Sequence, residues 1–275
     1  MTQLDSAAIQ DVQKLTLSSF ALEKVRETAC PTALIPNNAG IESLERFDLE
    51  RFRFRGSMET TSIDDFVRYS TGYSSDETPA RCFIDADNMR ARTIFNIGTL
   101  VNPGHADNTA SIGLKKTAPF RALLAIDGTR LSQKQIAEWL EDWKDYLLAF
   151  DADGNTMQIT QAAQAVRRVT IQQATQSDHE DSDFSGKKSL MQSIEASSKD
   201  VMPVAFEFKC VPYEGLAERA FSLRNSLLKS GEPCFVIRIV QLEAQEEAIA
   251  NEFRDLLISK FDGEPVETFI GKFSA

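Results

Sequence analysis

Four groups of residues have the types and spacing that chemistry asks for. Asp85, Asp87, Asp107 and Asp127 form an acidic group, three of which lie at or just after the ends of apolar segments, and carboxylates gathered about 4 Å apart around two Mg²⁺ ions can clamp the oxygens of a phosphoryl transfer. Asp85-Ala-Asp87-Asn88 is also good turn chemistry, because Asp and Asn bond their own backbone, and the turn reading is preferred. His105 and Asp107 can share a metal or act as a base and its orienting partner. The chain has just one other histidine, His179, too few for a histidine-aspartate phosphohydrolase, so a loop histidine packed by Pro103-Gly104 is the preferred reading. Asp151-Ala-Asp153-Gly-Asn155 opens like a calcium loop, but Thr156 replaces the required glycine and Ala162 stands where the bidentate glutamate belongs. An ordinary turn before a helix fits better. The Gly-rich phosphate loops and the GxSxG nucleophile elbow are absent. No catalytic residue and no cofactor is therefore expected; Asp85, Asp87, His105 and Asp107 stand as the metal alternative.

The fourth group is Arg51-Phe52-Arg53-Phe54-Arg55. Read as a strand closed by Gly56, its strict alternation places both phenylalanines on one face and the three arginines on the other, roughly 6.8 Å apart, close to the phosphate spacing of an extended single strand. Such a stripe suits a polyanion, with Arg90, Arg92, Lys115 and Lys116 as candidate neighbours. It equally suits the acidic surface of another copy, or it is a solvated edge. Thirty Lys and Arg against 41 Asp and Glu give a net charge of −11, which repels polyanions at long range. Nucleic acid is thus an allowed partner that the charge disfavours, and another copy of the chain is the expected one.

Elements that must position these residues follow from periodicity. Leu4, Ile9, Val12, Leu15, Phe20 and Val25 recur at helical spacing across 3–29, and Pro31, Pro36 and Gly40 mark a connector, so 1–40 reads as a helical arm and 41–275 as an α+β domain, with 177–200 the place where a sub-boundary would fall. A short helix runs from Ile63 towards Gly72 behind Thr60-Thr61-Ser62. Arg81–Ile84 and Arg92–Ile97 make a hairpin around Asp85–Asn88, and Ala110–Lys116 is a further strand. Phe120–Ile126 fits strand or helix. Ser132 and Gln135 form a capping box ahead of Ile136, Trp139, Leu140, Trp143 and Leu147, a core stripe whose tryptophans suit a sheet. Met157–Thr175 reads as a helix and the acidic stretch 177–186 as a loop. Ser189–Ser197 reads as a short helix. Val204–Cys210, Ala220–Leu228 and Cys234–Val240 suggest an antiparallel meander, followed by a helix over Ala244–Lys260 and a strand at Val266–Ile270. The fold class is therefore α+β, mostly antiparallel sheet packed by a few amphipathic helices, with an N-terminal helical arm.

Four cysteines, Cys30, Cys82, Cys210 and Cys234, form no CxxC pair, and the last three sit in apolar strands as reduced core residues. The longest apolar runs are five residues, well short of a membrane span. Met1-Thr-Gln-Leu-Asp has no basic or apolar leader, so the cytosol of a bacterial host is the expected address.

Phe52-Arg-Phe-Arg-Gly56, Phe83-Ile-Asp-Ala-Asp-Asn-Met89, Pro103-Gly-His-Ala-Asp-Asn108 and Ala137-Glu-Trp-Leu-Glu-Asp142, taken in order, resemble the YfdQ-like family of phage and prophage proteins, from about residue 40 to the C-terminus. That family is of unknown function, so the resemblance implies a phage or prophage setting and no catalytic residue. The leading expectation is a self-assembling homo-oligomer, ring-like if its interface is heterologous. A single-stranded nucleic-acid-binding accessory protein of phage replication or recombination and a divalent-metal phosphoesterase are the alternatives.

Overall fold

A computed structural model describes residues 9–16, 49–51, 53–168, 201–230 and 232–274. The chain divides into two compact units between Phe54 and Arg55. In the first, residues 9–16 are helical (α1), and Ile9, Val12 and Leu15 are exposed on it. The remainder of the expected arm, the 177–186 loop and the 189–197 helix lie outside the described residues.

The second unit opens with β1 (Gly56–Thr60), followed by α2 (Ile63–Gly72), β2 (Ala80–Asp85), a 3-10 turn (Ala86–Asn88), β3 (Arg90–Ile94) and β4 (Asn108–Gly113). With the C-terminal β11 (Val266–Ile270) these strands form a five-stranded sheet ordered β1-β4-β3-β2-β11. Its centre is antiparallel, while β1 joins β4 and β11 joins β2 in parallel. Helix α2 starts where expected, because the Ser62 side chain accepts from the Asp65 N–H.

A second sheet, ordered β5-β10-β9-β8-β6-β7 and antiparallel throughout, is built from β5 (Arg130–Ser132), β6 (Leu147–Phe150), β7 (Thr156–Met157), β8 (Ala205–Cys210), β9 (Arg219–Ser230) and β10 (Glu232–Ile239). The last third is the expected meander. Helix α3 (Ala118–Ile126) leads from β4 into β5, α4 (Gln133–Asp142) and α5 (Ile159–Arg168) lie between strands of this sheet in sequence, and α6 (Leu242–Phe261) leads from β10 back to β11. The fold class is α+β, as read from the sequence.

The ambiguous Phe120–Ile126 run is helical: Thr117 caps it, Pro119 sits in its first turn, and Phe120, Leu123 and Ile126 are buried on one side. In α4 the capping box forms both of its bonds, from Gln135 N to Ser132 Oγ and from Ser132 N to Gln135 Oε1. Trp139 and Trp143 approach Phe208 on β8 with ring centroids 5.8 and 6.3 Å away, the sheet contact expected of them. A bidentate pair, Arg167 to Glu141 at 2.7 and 2.8 Å, ties α5 to α4.

Three expected elements differ. Arg51, Arg53, Phe54 and Arg55, the described residues of that segment, are not in a strand; the strand follows them, opened rather than closed by Gly56. Pairing explains the shift. Gly56 stands level with Asn108, the first residue of β4, so the pairing that makes β1 a strand begins at Gly56. Leu147 belongs to β6 rather than to the α4 stripe, because the helix ends at Asp142, a 3-10 turn intervenes, and β8 supplies a partner for the apolar run 147–150. Met157 pairs with Ala149 in β7, and α5 begins at Ile159; beyond Arg168 the expected helix lies outside the described residues.

Ser132→Ala removes the side-chain half of the α4 cap and should cost about 1 kcal/mol, a fall in Tm of roughly 2–4 °C for a domain of this size. Thermal melts followed by circular dichroism check this; an unchanged Tm would show that the cap is redundant.

Candidate functional site

Along β2 burial alternates: Ala80, Cys82 and Ile84 are buried, while Arg81, Phe83 and Asp85 lie on the opposite face. Cross-strand register extends that second face over the sheet. Phe83 stands opposite Arg92 and Asp85 opposite Arg90 on β3, while on the other side Glu267 is level with Arg81 and Phe269 with Phe83. Arg90 and Arg92 are exposed. The rings of Phe269 and Phe273 stack on Phe83 at 5.4 and 5.1 Å. On the edge strand β11, Phe269 keeps 43% and Ile270 62% of its surface in water.

Arg81 bolts this edge to the β3–β4 loop, donating from Nε to Glu267 and from Nη1 to the Gly98 carbonyl, both at 3.2 Å. Asn96 closes the loop from within: its amide donates to Asp107 at 2.8 Å and its carbonyl oxygen accepts the Asn108 N–H at 3.0 Å. Gly104 lies so close to the Asn96 backbone that a Cβ there would sit 2.0 Å from the Asn96 oxygen. The tip carries Leu100 and Val101, which are 100% and 85% exposed.

At the other edge of the sheet, Met58 and Thr60 of β1 and Tyr69, Gly72 and Tyr73 of α2 line a groove of about 420 Å³, with Glu59, Asp65 and Arg68 at its rim. Tyr69 and Tyr73 stack at 4.5 Å. Burial, then the neighbouring Tyr73, raises the Tyr69 phenol above its ordinary value.

The residues singled out from sequence do not gather into one centre. Arg51 and Arg53 belong to the first unit and Arg55 to the second; all three have interaction partners, and Phe52 lies outside the described residues. Asp85 and Asp87 sit at the β2–β3 turn, whereas Asp107 and His105 lie at the opposite end of β3, roughly 17 Å away by strand rise. Asp127 ends α3 and accepts the Ile239 N–H at 2.7 Å in the second sheet. Among the described residues, no three His, Cys, Asp or Glu side chains could hold a metal ion together.

Asp151 and Asp85 are engaged locally. Asp151 accepts the N–H groups of Asp153 and Asn155 and the Asn155 amide, so the calcium-like run is a self-bonded turn between β6 and β7. Partial burial works against ionisation of Asp85, but hydrogen bonds from Asn88 and Lys272 and the charges of Lys272 and Arg90 outweigh it and hold the carboxyl below its ordinary value. Burial pushes the thiols of Cys82 and Cys210 up to about 12, which removes them as nucleophiles. A second hollow of about 470 Å³ between the β6–β7 turn and α5 is lined largely by Gln158, Gln161 and Gln164, with Asp151 and Arg168. It offers amides and no nucleophile paired with a base.

A family model for an uncharacterized conserved protein, DUF2303, matches residues 3–273. This chain is a DUF2303 protein. No curated protein and no solved structure matches it. No helix among the described residues of the DUF2303 chain is long and apolar enough to cross a membrane. What the sequence left unseen in this DUF2303 protein is the open sheet face itself. Phe83, Phe269 and Phe273 lie 186 and 190 residues apart in the chain, and only the parallel β2–β11 pairing brings them together.

Two outcomes follow. Iodoacetamide should label half-buried Cys234 in the native protein, while Cys82 and Cys210 react only on unfolding; native labelling of Cys82 would contradict its burial. Because the Asp85 carboxyl is held below its ordinary value, its stabilising effect is present above the pH where a free aspartate titrates and is lost as pH falls through the lower folded value. Asp85→Asn should therefore be less stable than the parent at neutral pH, with the gap closing in urea melts at progressively more acid pH.

Proposed function

We propose that this chain is a non-enzymatic subunit that assembles with further copies of itself, in a phage or prophage setting and in the cytoplasm of the bacterial host. One observation carries the reading: β11 is an outermost strand with no Pro or Lys, and Phe269 and Ile270 stand exposed on it beside the Phe83–Phe273 stack. An unblocked apolar edge is a template for pairing with another chain. The resemblance to YfdQ-like proteins supports the setting, and the acid-rich composition suits a subunit that must stay soluble while it associates.

A second reading has its own observation. Arg90 and Arg92 alternate on the open face of β3, and Phe83 stands opposite Arg92, the mixture of cation and ring that single-stranded nucleic acid binds. It makes Arg90→Gln/Arg92→Gln weaken low-salt binding of a labelled single strand and flatten its salt dependence; no binding at low salt ends it. The phosphoesterase alternative draws no such support, since Asp85 and Asp107 lie at opposite ends of β3.

Light scattering of the wild-type chain at micromolar concentration should give a mass well above 30.7 kDa, and Phe269→Asp/Ile270→Asp should lower it. A wild-type monomer overturns the reading.

A further inference from the structure

We infer that copies join head to tail, the β11 edge of one pairing in parallel with the β1 edge of the next, so that the first sheet continues from subunit to subunit. This rests on the self-assembly proposed above and names the two surfaces that meet.

Direction comes first. β1 is parallel to β4, β4 antiparallel to β3, β3 antiparallel to β2, and β2 parallel to β11, so the two outer strands run the same way. Each is five residues long. A repeated β11-to-β1 junction is therefore parallel and adds no reversal.

Backbone groups point correctly for it. Gly56 N donates to the Asp107 carbonyl on the β4 side; because backbone groups alternate sides along a strand, 56, 58 and 60 address β4 while Ser57 and Glu59 turn their N–H and C=O outward. On β11, Pro265 O accepts from Ala80 N and Gly271 N donates to Ile84 O. The odd-numbered residues thus address β2, and Thr268 and Ile270 point outward. Ladder bonds between 57/59 and 268/270 require no change in either strand.

Side chains then decide between partners. Thr268 and Ile270 are level with buried Cys82 and Ile84, and Met58 and Thr60 with buried Ala110 and Ile112, so all four project on the helix side of the sheet. On joining, Ile270 enters beside Met58, Tyr69 and Tyr73 in the 420 Å³ groove. One edge offers a protruding apolar side chain and the other a recess. Pairing two β11 edges sets projection against projection, and pairing two β1 edges leaves the recess unfilled. A heterologous junction of this kind closes into a ring when its rotation permits.

The test uses the full-length chain and edge prolines, which edge strands tolerate where the N–H faces outward. Thr268→Pro and Glu59→Pro should each reduce the wild-type oligomer to the 30.7 kDa chain with its circular dichroism retained. Mixed in equal amounts they should form a species of two chains and none larger, since one brings an intact β1 edge and the other an intact β11 edge. Ile270→Asp, at an exposed position, gives the same loss if a proline variant fails to fold. A wild-type oligomer that survives Glu59→Pro overturns the junction while leaving self-assembly standing. Loss with Thr268→Pro alone indicates twofold β11 pairing and also overturns it, as does a mixture that stays monomeric. A wild-type monomer overturns both proposals, whether β1 is then covered by another segment of its own chain or by nothing.

Discussion

Ile249, Phe253, Leu257 and Phe261 recur every fourth residue along α6, and all four are buried. The rest of the second unit depends on that burial. An α-helix turns 100° per residue, so a four-residue repeat drifts by about 40° at each step and about 120° over the four positions. The buried stripe consequently winds around the helix as it runs from one sheet to the other. Near its first half Glu252 accepts from Arg219 at 2.7 Å and from the Ala217 N–H at 2.7 Å, fastening the start of β9. At its end Phe261 meets Phe66 of α2 edge to face at 6.0 Å. Residues of both sheets share one continuous apolar cluster with it.

Much of the local structure was legible because local rules decide it. Ser62 and Ser132 each cap the helix that follows, and Cys82, Phe206 and Phe208 lie inside, as read from the sequence; the Thr117 cap that makes Phe120–Ile126 a helix was not among those readings. Errors arose where a partner distant in sequence chooses. The alternation of Arg51–Arg55 is as regular as that of any strand in the chain, but a strand forms only where a neighbour lies beside it, and β4 starts at Asn108. Leu147 keeps helical spacing with Ile136 and Leu140, yet β8 claims it. Nothing local distinguishes Val266–Ile270 as a parallel strand rather than an antiparallel one.

The candidate site was less legible for the same reason. Asp85, Asp107, Asp127 and Asp151 were visible as carboxylates near strand ends, and the structure spends each on a nearby donor: Asn88 and Lys272, Asn96, the Ile239 N–H, and the Asn155 backbone and amide. The stack of Phe83, Phe269 and Phe273 needs one strand from each end of the unit. Phe83 and Phe269 lie in strands far apart in the sequence and Phe273 follows the second of them; the sheet makes the three one surface.

Asn96, Gly104 and Asp107 lock the base of the β3–β4 loop, whereas Leu100 and Val101 at its tip are almost wholly in water. Stem and tip therefore answer to different selection. The stem tolerates little, while the tip can be exchanged at small cost to the fold, which makes residues 99–102 a natural place to splice in a reporter peptide or for a lineage to diversify what the molecule touches.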